Sequence, residues 1–220
     1  PLMSMFLYTF IFGVIAKLPS ENQPYAVFTY TALLPWDFFT DAVAAGSNGL
    51  ADSKALISKV YFPRLILPLS RILSSLVDLS ISFVILIGML FYYGIHPTWG
   101  VALVPLFLII AAVTGLGFGL WFAGIIIRYR DVGQVAGYIV RFWMYATPVV
   151  YSLTLVPSRW LVLYHLNPMT GVIEGFRWAL LGTSQPPDWT LAVSALLTIP
   201  LLIGGLYVFK RSERNIVDIV

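Results

Sequence analysis

The sequence has few charged residues and no cysteine. Asp, Glu, Lys and Arg make up 10% of its 220 residues, whereas a soluble globular domain carries about 25%. Because 59% of the residues are hydrophobic, the chain has more apolar sequence than one water-soluble core could bury. The lack of cysteine excludes disulfides and thiolate metal sites. The two histidines, His96 and His165, are isolated, and no ligand spacing indicates a metal site.

The longest stretch without a charged residue covers residues 79–127, which are 49 residues between Asp78 and Arg128. An apolar helix needs about 20 residues to cross a bilayer, so this stretch predicts two spans joined by a turn at residues 94–97. Basic residues precede and follow the hairpin, which places both of its ends in the cytoplasm. The net charge of +3 comes from such clusters and indicates membrane topology, not nucleic-acid binding.

Apolar runs along the chain predict an all-α integral membrane protein with six transmembrane helices. The predicted spans are residues 1–16, 25–45, 66–93, 99–127, 132–151 and 189–209. The turn-forming residues 46–49 are expected to end the second span. With this topology, nine of the thirteen Lys and Arg residues lie inside. Since the sequence opens within an apolar run, we expect the native N-terminus to precede it.

The region between the fifth and sixth spans, residues 152–188, is too polar for a complete span, yet residues 169–181 are apolar and aromatic. Prolines divide it, which favours one or two short helices that re-enter the bilayer from outside. Such backbone is tolerated where protein or a water-filled cavity covers it. A short amphipathic helix on the surface is the alternative. Glu174 and Arg177 have the i,i+3 spacing of an ion pair on an ordered helix.

A short helix is predicted on the cytoplasmic side between the second and third spans, at residues 53–64. Asp52 or Ser53 can cap its start, and Pro63 ends it. Apolar groups on a cytoplasmic loop need a partner, which is either another protein or lipid headgroups. The candidate contact residues are Ser53, Lys54, Leu56, Ile57, Lys59, Val60, Tyr61, Phe62 and Arg64.

Charged residues also lie within predicted spans. Asp37 and Asp41 are four residues apart on one helix face, Asp78 lies near the inner end of the third span, and Arg141 lies midway along the fifth. A charge at the bilayer centre costs about 2.5–3.5 kcal/mol on insertion scales, so these side chains should face protein or water. They indicate either a polar path between spans or buried ion pairs.

Aromatic residues concentrate in the outer half of the predicted bundle. They fit an interfacial aromatic belt or platforms on which sugar rings could stack. Together with the charged residues, the candidate channel or gate residues are Asp37, Asp41, Arg141, Trp143, Tyr145, Tyr151, Glu174, Phe176, Arg177 and Trp178.

Five motifs occur together in one order along nearly the whole chain. They are Lys-Val-Tyr-Phe-Pro-Arg at 59–64, Arg-Tyr-Arg-Asp-Val at 128–132, Thr-Pro-Val-Val-Tyr at 147–151, Asn-Pro-Met-Thr at 167–170 and Gly-Val-Ile-Glu-Gly-Phe-Arg-Trp at 171–178. As a set, they resemble the permease subunit of bacterial polysaccharide-exporting ABC transporters of the ABC-2 family. That family includes O-antigen (lipopolysaccharide), capsule and teichoic-acid exporters, and the O-antigen type is the nearest match.

The resemblance implies a single ABC-2 type transmembrane domain over residues 1–220 in the bacterial cytoplasmic (inner) membrane. Two copies of the permease would assemble with two ABC ATPase subunits and move a lipid-linked polysaccharide from the cytoplasmic to the periplasmic side. The chain itself would then be no enzyme and hold no cofactor, because ATP and Mg would bind to the partner ATPase. Membrane lipids would surround it, and no nucleic acid would bind.

The resemblance also implies roles for three segments. Residues 53–64 would form the coupling helix seated on the ATPase, and residues 152–182 would form outer re-entrant helices that close the channel. The cytoplasmic entrance, near the lipid phosphate of the substrate, would hold Arg128, Tyr129, Arg130 and Asp131. The family's N-terminal amphipathic interface helix has no counterpart in this sequence.

Two other functions stay open from the residues alone. An intramembrane lipid-phosphate glycosyl- or phospho-transferase usually needs clustered carboxylates for metal and pyrophosphate, whereas the acidic residues here are scattered. An ion-coupled secondary transporter often has repeated halves with broken helices, and the sequence has no evident repeat. Transport measured with and without an ATPase separates these possibilities.

Overall fold

A computed structural model describes residues 1–52, 65–126, 132–183 and 189–217, and these ranges contain helices, turns and loops but no strand. The helices are α1 (Leu2–Tyr8), continued by a π-helix (Thr9–Ile15), α2 (Tyr25–Asp52), α3 (Ile66–Tyr93), α4 (Val104–Ile126), α5 (Val132–Ala146), α6 (Ser158–His165), α7 (Pro168–Leu181) and α8 (Trp189–Val217). Short 3₁₀ turns precede α4 (Trp99–Leu103) and α6 (Leu153–Leu155).

Three helical segments among the described residues are long and apolar enough to cross a membrane. They are Ile66–Tyr93, Trp99–Ile126 and Leu191–Arg211, and a shorter apolar helix covers Leu2–Ile15. The predicted hairpin of two spans is therefore present, with its turn at Gly94, whose φ is +67°. The all-helical membrane class is confirmed, while the count of six spans stays a prediction.

The core forms around α2, which packs against α4 most extensively and also against α3 and α7. Helix α8 also packs against α4. Glycines let α2 and α4 approach closely, because a Cβ atom on Gly119 would lie 2.5 Å from the carbonyl oxygen of Val43 and one on Gly46 would lie 2.9 Å from Gly119 Cα. These small residues form the crossing point of the two helices.

The predicted turn at residues 46–49 is wrong, because α2 continues through it to Asp52. Gly46 serves the contact with Gly119 and does not end the helix. Glycine in a helix costs about 1 kcal/mol relative to alanine, and the close packing of the two helices outweighs that cost.

The fifth and last helices also differ from the predicted bounds. Helix α5 ends at Ala146, five residues before the predicted boundary, because Pro148 disfavours the helical conformation of the residue before it. Helix α8 continues to Val217, beyond the predicted end at residue 209. The basic residues there mark the expected membrane boundary, but they do not end the helix, since charged side chains are good helix formers in water.

One or two short helices are predicted between the fifth and sixth spans, and the structure has two there, α6 and α7; their re-entry into the bilayer stays a prediction. Every residue of α7 except Glu174 is buried, and the helix packs against α2, α4 and α8. This burial contradicts the alternative of a surface helix for α7. The predicted coupling helix (residues 53–64) and cytoplasmic entrance (residues 128–131) lie outside the described residues.

Candidate functional site

A buried arginine joins three segments at the predicted outer side. Arg177 is 0% exposed, and its Nη1 donates to Glu174 Oε1 at 3.0 Å and to the Tyr151 carbonyl at 3.3 Å. Its Nη2 donates to the Val149 carbonyl at 2.8 Å, and the guanidinium carbon lies 3.7 Å from the ring centroid of Phe28. The predicted ion pair is confirmed, and both terminal nitrogens of the buried guanidinium donate hydrogen bonds, whereas its Nε has no partner among the described residues.

The turn at residues 147–152, which follows α5, is also attached to the start of α2. The Tyr25 hydroxyl donates to the Val150 carbonyl, and the Ser152 hydroxyl donates to the Glu21 carboxylate. The consecutive carbonyls of Val149, Val150 and Tyr151 thus accept hydrogen bonds from the side chains of Arg177 and Tyr25, which are far away in sequence. The attachment fixes the end of α5 relative to α2 and α7.

The same turn contacts the start of α7. Asn167 caps that helix, since its Oδ1 accepts a hydrogen bond from the Met169 amide at 3.1 Å. Its Nδ2 donates to Thr147 Oγ1 at 2.8 Å. The motifs at 147–151, 167–170 and 171–178 therefore meet at one place, which we call the arginine cluster: Glu21, Tyr25, Phe28, residues 147–152, Asn167, Glu174 and Arg177.

An aromatic groove of about 580 Å³ lies between the end of α5 and α6. The Tyr151 and Tyr164 hydroxyl oxygens are 2.7 Å apart at its edge, and Tyr151 also donates to the Tyr145 carbonyl at 3.0 Å. Because one hydroxyl has one proton, Tyr164 is the donor to Tyr151. The lining includes Trp143, Tyr151, Trp160, Leu163, Tyr164 and Asn167.

Three predicted gate residues have neighbours inside the bundle. Trp143 makes edge contacts with Phe39 and Phe118, at centroid distances of 5.5 and 4.5 Å. Phe176 packs against Phe107 at 6.1 Å, and Trp178 against Trp99 at 5.1 Å. Phe176 and Trp178 are buried by helix packing and line none of the three cavities described in this section.

The charged residues of the spans line two further cavities. Asp37, Arg141 and Tyr145 border a cavity of about 520 Å³ between α2 and α5. Asp37 and Asp41 border a second cavity, of about 610 Å³, together with Asp78 of α3. Asp37 therefore faces both spaces. The polar path between spans stays a prediction, and these are the residues that would line it.

Sequence reasoning missed several members of the arginine cluster. Glu21 and Tyr25 lie 131 and 125 residues from their partners Ser152 and Val150, so no local spacing connects them. Phe28 lies in an apolar run, and the sequence does not distinguish it from its apolar neighbours. The cap sequence Asn167-Pro168 was a usable local signal for the start of α7, although it does not reveal the contact with Thr147.

Comparisons with known proteins match this chain to a transporter family and to membrane permeases. The family described as ABC-2 type transporter matches residues 1–181. The chain is 26% identical over 220 residues to the O-antigen export system permease protein RfbA of Myxococcus xanthus, covering 99% of this chain and 84% of that protein. A protein of the same name from Klebsiella pneumoniae is 24% identical over 226 aligned positions, covering 100% and 84%. The inner membrane transport permease YadH of Escherichia coli K12 is 39% identical over 59 residues, covering 27% and 23%.

Proposed function

The chain belongs to the ABC-2 type transporter family, and on that premise we propose that it is the permease subunit of an ATP-driven exporter of lipid-linked polysaccharide. The proposed substrate is an O-antigen glycan, moved from the cytoplasmic to the periplasmic side of the bacterial inner membrane. The observation that carries the proposal is the alignment of nearly the whole chain with O-antigen export permeases of two organisms.

The partner we propose is a separate ABC ATPase, because the sequence has no ATP-binding motif of its own. Helix α2 supports this coupling, since it leads directly to the predicted coupling helix at residues 53–64. Its 28 residues correspond to about 42 Å at 1.5 Å per residue. At its other end, Tyr25 and Phe28 belong to the arginine cluster. A movement imposed by the ATPase at the inner end of α2 would thus reach the outer side through one helix.

We place the substrate entrance at the basic segment between α4 and α5. Arg128 and Arg130 are proposed to bind the phosphate groups of the lipid carrier, because guanidinium groups bind phosphate oxygens through paired hydrogen bonds. Asp131 would orient one of the two arginines, and Tyr129 lies between them in sequence. The glycan would then pass between spans toward the outer aromatic residues.

The complex is proposed to contain two copies of the permease, each with six spans, and two ATPase subunits. A single copy offers cavities of about 520–610 Å³, which suit a small molecule and are too small for a path that must accommodate a polymer. The outer helices α6 and α7 would close the path between export cycles, and α7 would re-enter the membrane from outside.

Export by cells that lack their own permease tests the proposal. Such cells should display surface polysaccharide when they express this chain with its ATPase, and not when the ATPase lacks hydrolytic activity. Arg128→Ala with Arg130→Ala should abolish surface polysaccharide while lipid-linked glycan accumulates inside. The matched control is Lys210→Ala with Arg211→Ala, which removes a basic pair elsewhere on the inner side.

The two lysine substitutions at positions 128 and 130 distinguish charge from geometry. Partial rescue is expected if charge alone binds the phosphate, and no rescue if the planar fork of arginine is required. Undiminished surface polysaccharide in the double alanine strain, at normal protein level, would remove these arginines from the mechanism. Export without an active ATPase would overturn the proposed function itself.

A further inference from the structure

The aromatic groove lies beside a helix that presents apolar side chains outward. Helix α6 packs against α7 and α8, yet none of its residues is buried. Trp160, Val162 and Leu163 are 49%, 67% and 59% exposed. Large apolar side chains exposed in a group are expected to face lipid or another protein, and tryptophan is enriched at membrane surfaces. The groove, which Trp160 and Leu163 line, is therefore bordered by a surface that suits lipid.

The polar side chains of the groove already form hydrogen bonds within the protein. Tyr164 donates to Tyr151, and Tyr151 donates to the Tyr145 carbonyl. Asn167 caps α7 with its oxygen and donates from its nitrogen to Thr147. The other side chains that line the groove are aliphatic or aromatic. A sugar ring would bring several hydroxyl groups to few partners, which costs free energy when they leave water, whereas a hydrocarbon chain would bear no such cost.

A cationic side chain lies at the rim of the groove. The guanidinium carbon of Arg159 is 5.8 Å from the centroid of the Trp160 ring, and Trp160 lines the groove. Arg159 is exposed, and the described residues place no carboxylate within ion-pairing distance of it. An exposed guanidinium binds phosphate oxygens through charge-assisted hydrogen bonds. The apolar groove and the cation beside it are therefore complementary to a molecule with a hydrocarbon chain and an anionic head.

We propose that the aromatic groove binds an anionic glycerophospholipid of the outer leaflet, with an acyl chain between α5 and α6 and the phosphate on Arg159. The volume of about 580 Å³ lies within the range of small-molecule sites. The inference requires only that the chain lies in a membrane, and it goes beyond the exported substrate. It assigns the aromatic residues of the groove to the binding of lipid and not to the stacking of a glycan.

Photo-crosslinking in the assembled transporter tests the proposal. The complex is reconstituted in nanodiscs of phosphatidylcholine that contain a small fraction of phosphatidylglycerol with a diazirine in one acyl chain, and mass spectrometry locates the labelled residues. Labelling is expected within residues 143–167, and excess unlabelled phosphatidylglycerol should suppress it. Ala146→Trp, which places an indole in the groove, should remove most of this labelling. The matched control is Val162→Trp, which adds the same side chain to an exposed position of α6 and should leave the labelling unchanged.

A comparison of headgroups tests the contact with Arg159. The wild type should be labelled more strongly by the phosphatidylglycerol probe than by a phosphatidylcholine probe with the same chains. Arg159→Ala should reduce the phosphatidylglycerol labelling about fivefold, which is the effect of one basic residue near an anionic headgroup, and should not change the phosphatidylcholine labelling. Arg159→Lys should retain the preference, because it keeps the positive charge.

Four results would overturn the inference. They are labelling of the groove that Ala146→Trp does not reduce, the same headgroup preference in Arg159→Ala as in the wild type, an absence of labelling within residues 143–167 because a second copy covers the groove, and suppression by polyprenyl phosphate or a soluble O-antigen oligosaccharide but not by phosphatidylglycerol. If Ala146→Trp does not fold, the Arg159 variants decide alone, since they change an exposed side chain. All of these measurements are made without ATP, so they do not depend on export.

Discussion

Replacing Arg177 tests whether the arginine cluster holds the outer side of the bundle together. Arg177→Leu removes the donor to the carbonyls of Val149 and Tyr151, and it removes the cation that pairs with the Glu174 carboxylate, whose side chain is 20% exposed. Breaking a buried ion pair from one side costs about 3–5 kcal/mol. We expect the free energy of unfolding to fall by about that amount. The contact with Phe28 is lost in the same change, but its energy is not added separately, because the contributions of neighbouring groups are not additive.

A double-mutant cycle identifies the source of the loss. Arg177→Leu combined with Glu174→Leu removes both charges, so its destabilisation should be smaller than the sum of the two single effects by about 1–3 kcal/mol. Arg177→Lys should lie between wild type and Arg177→Leu. Its ammonium is a point charge, and it lacks the fork that reaches both Glu174 and Val149.

Equilibrium unfolding of the purified permease by SDS in mixed micelles measures these differences, with the fluorescence of its seven tryptophans as the signal. Arg159→Leu is the matched control, because Arg159 is exposed on α6, where its guanidinium carbon lies 5.8 Å from the centroid of the Trp160 ring. That change should cost less than about 1 kcal/mol. If Arg177→Leu cost no more than Arg159→Leu, or if the double mutant were additive, the cluster would not stabilise the fold as argued.

Two further predictions address helix packing and coupling. Gly119→Ala should destabilise the permease by about 1–3 kcal/mol through overpacking in the same SDS titration. The control Gly88→Ala should be neutral or slightly stabilising, because no atom lies within 4 Å of the added carbon. Equal effects of the two changes would argue against a tight α2–α4 crossing. Tyr61→Asp with Phe62→Asp should abolish export and ATPase binding in a pull-down without changing the unfolding midpoint, and normal export with normal binding would show that this segment does not couple to the ATPase.

The sequence predicted the elements that depend on local or strongly periodic signals. The third span matches α3 residue for residue at Ile66–Tyr93, since the turn-forming residues 94–97 mark its end in the sequence. Glu174 and Arg177 are three residues apart, so one helical turn brings them together and their ion pair was predictable.

The features that the sequence could not predict depend on contacts between distant segments. Gly46 is turn-forming in isolation, and only its contact with Gly119 makes it a packing residue inside a helix. Likewise, Arg177 was predicted to line a channel or gate, whereas the structure places it at 0% exposure against Phe28. The sequence does not show whether an arginine is buried or exposed, because that depends on the residues that pack around it in the fold.

The position of α7 has a consequence for the order in which the protein is made. Helix α7 lies against α2, α4 and α8, and the ribosome synthesises α8 after α7. The contacts between α7 and α8 cannot form until the last helix has emerged and entered the membrane. Until then α7, which contains Glu174 and Arg177, has no complete set of protein neighbours to cover it. Biosynthesis therefore runs from one end of the chain to the other, but the burial of α7 is completed only in a late assembly step, after α8 is in place.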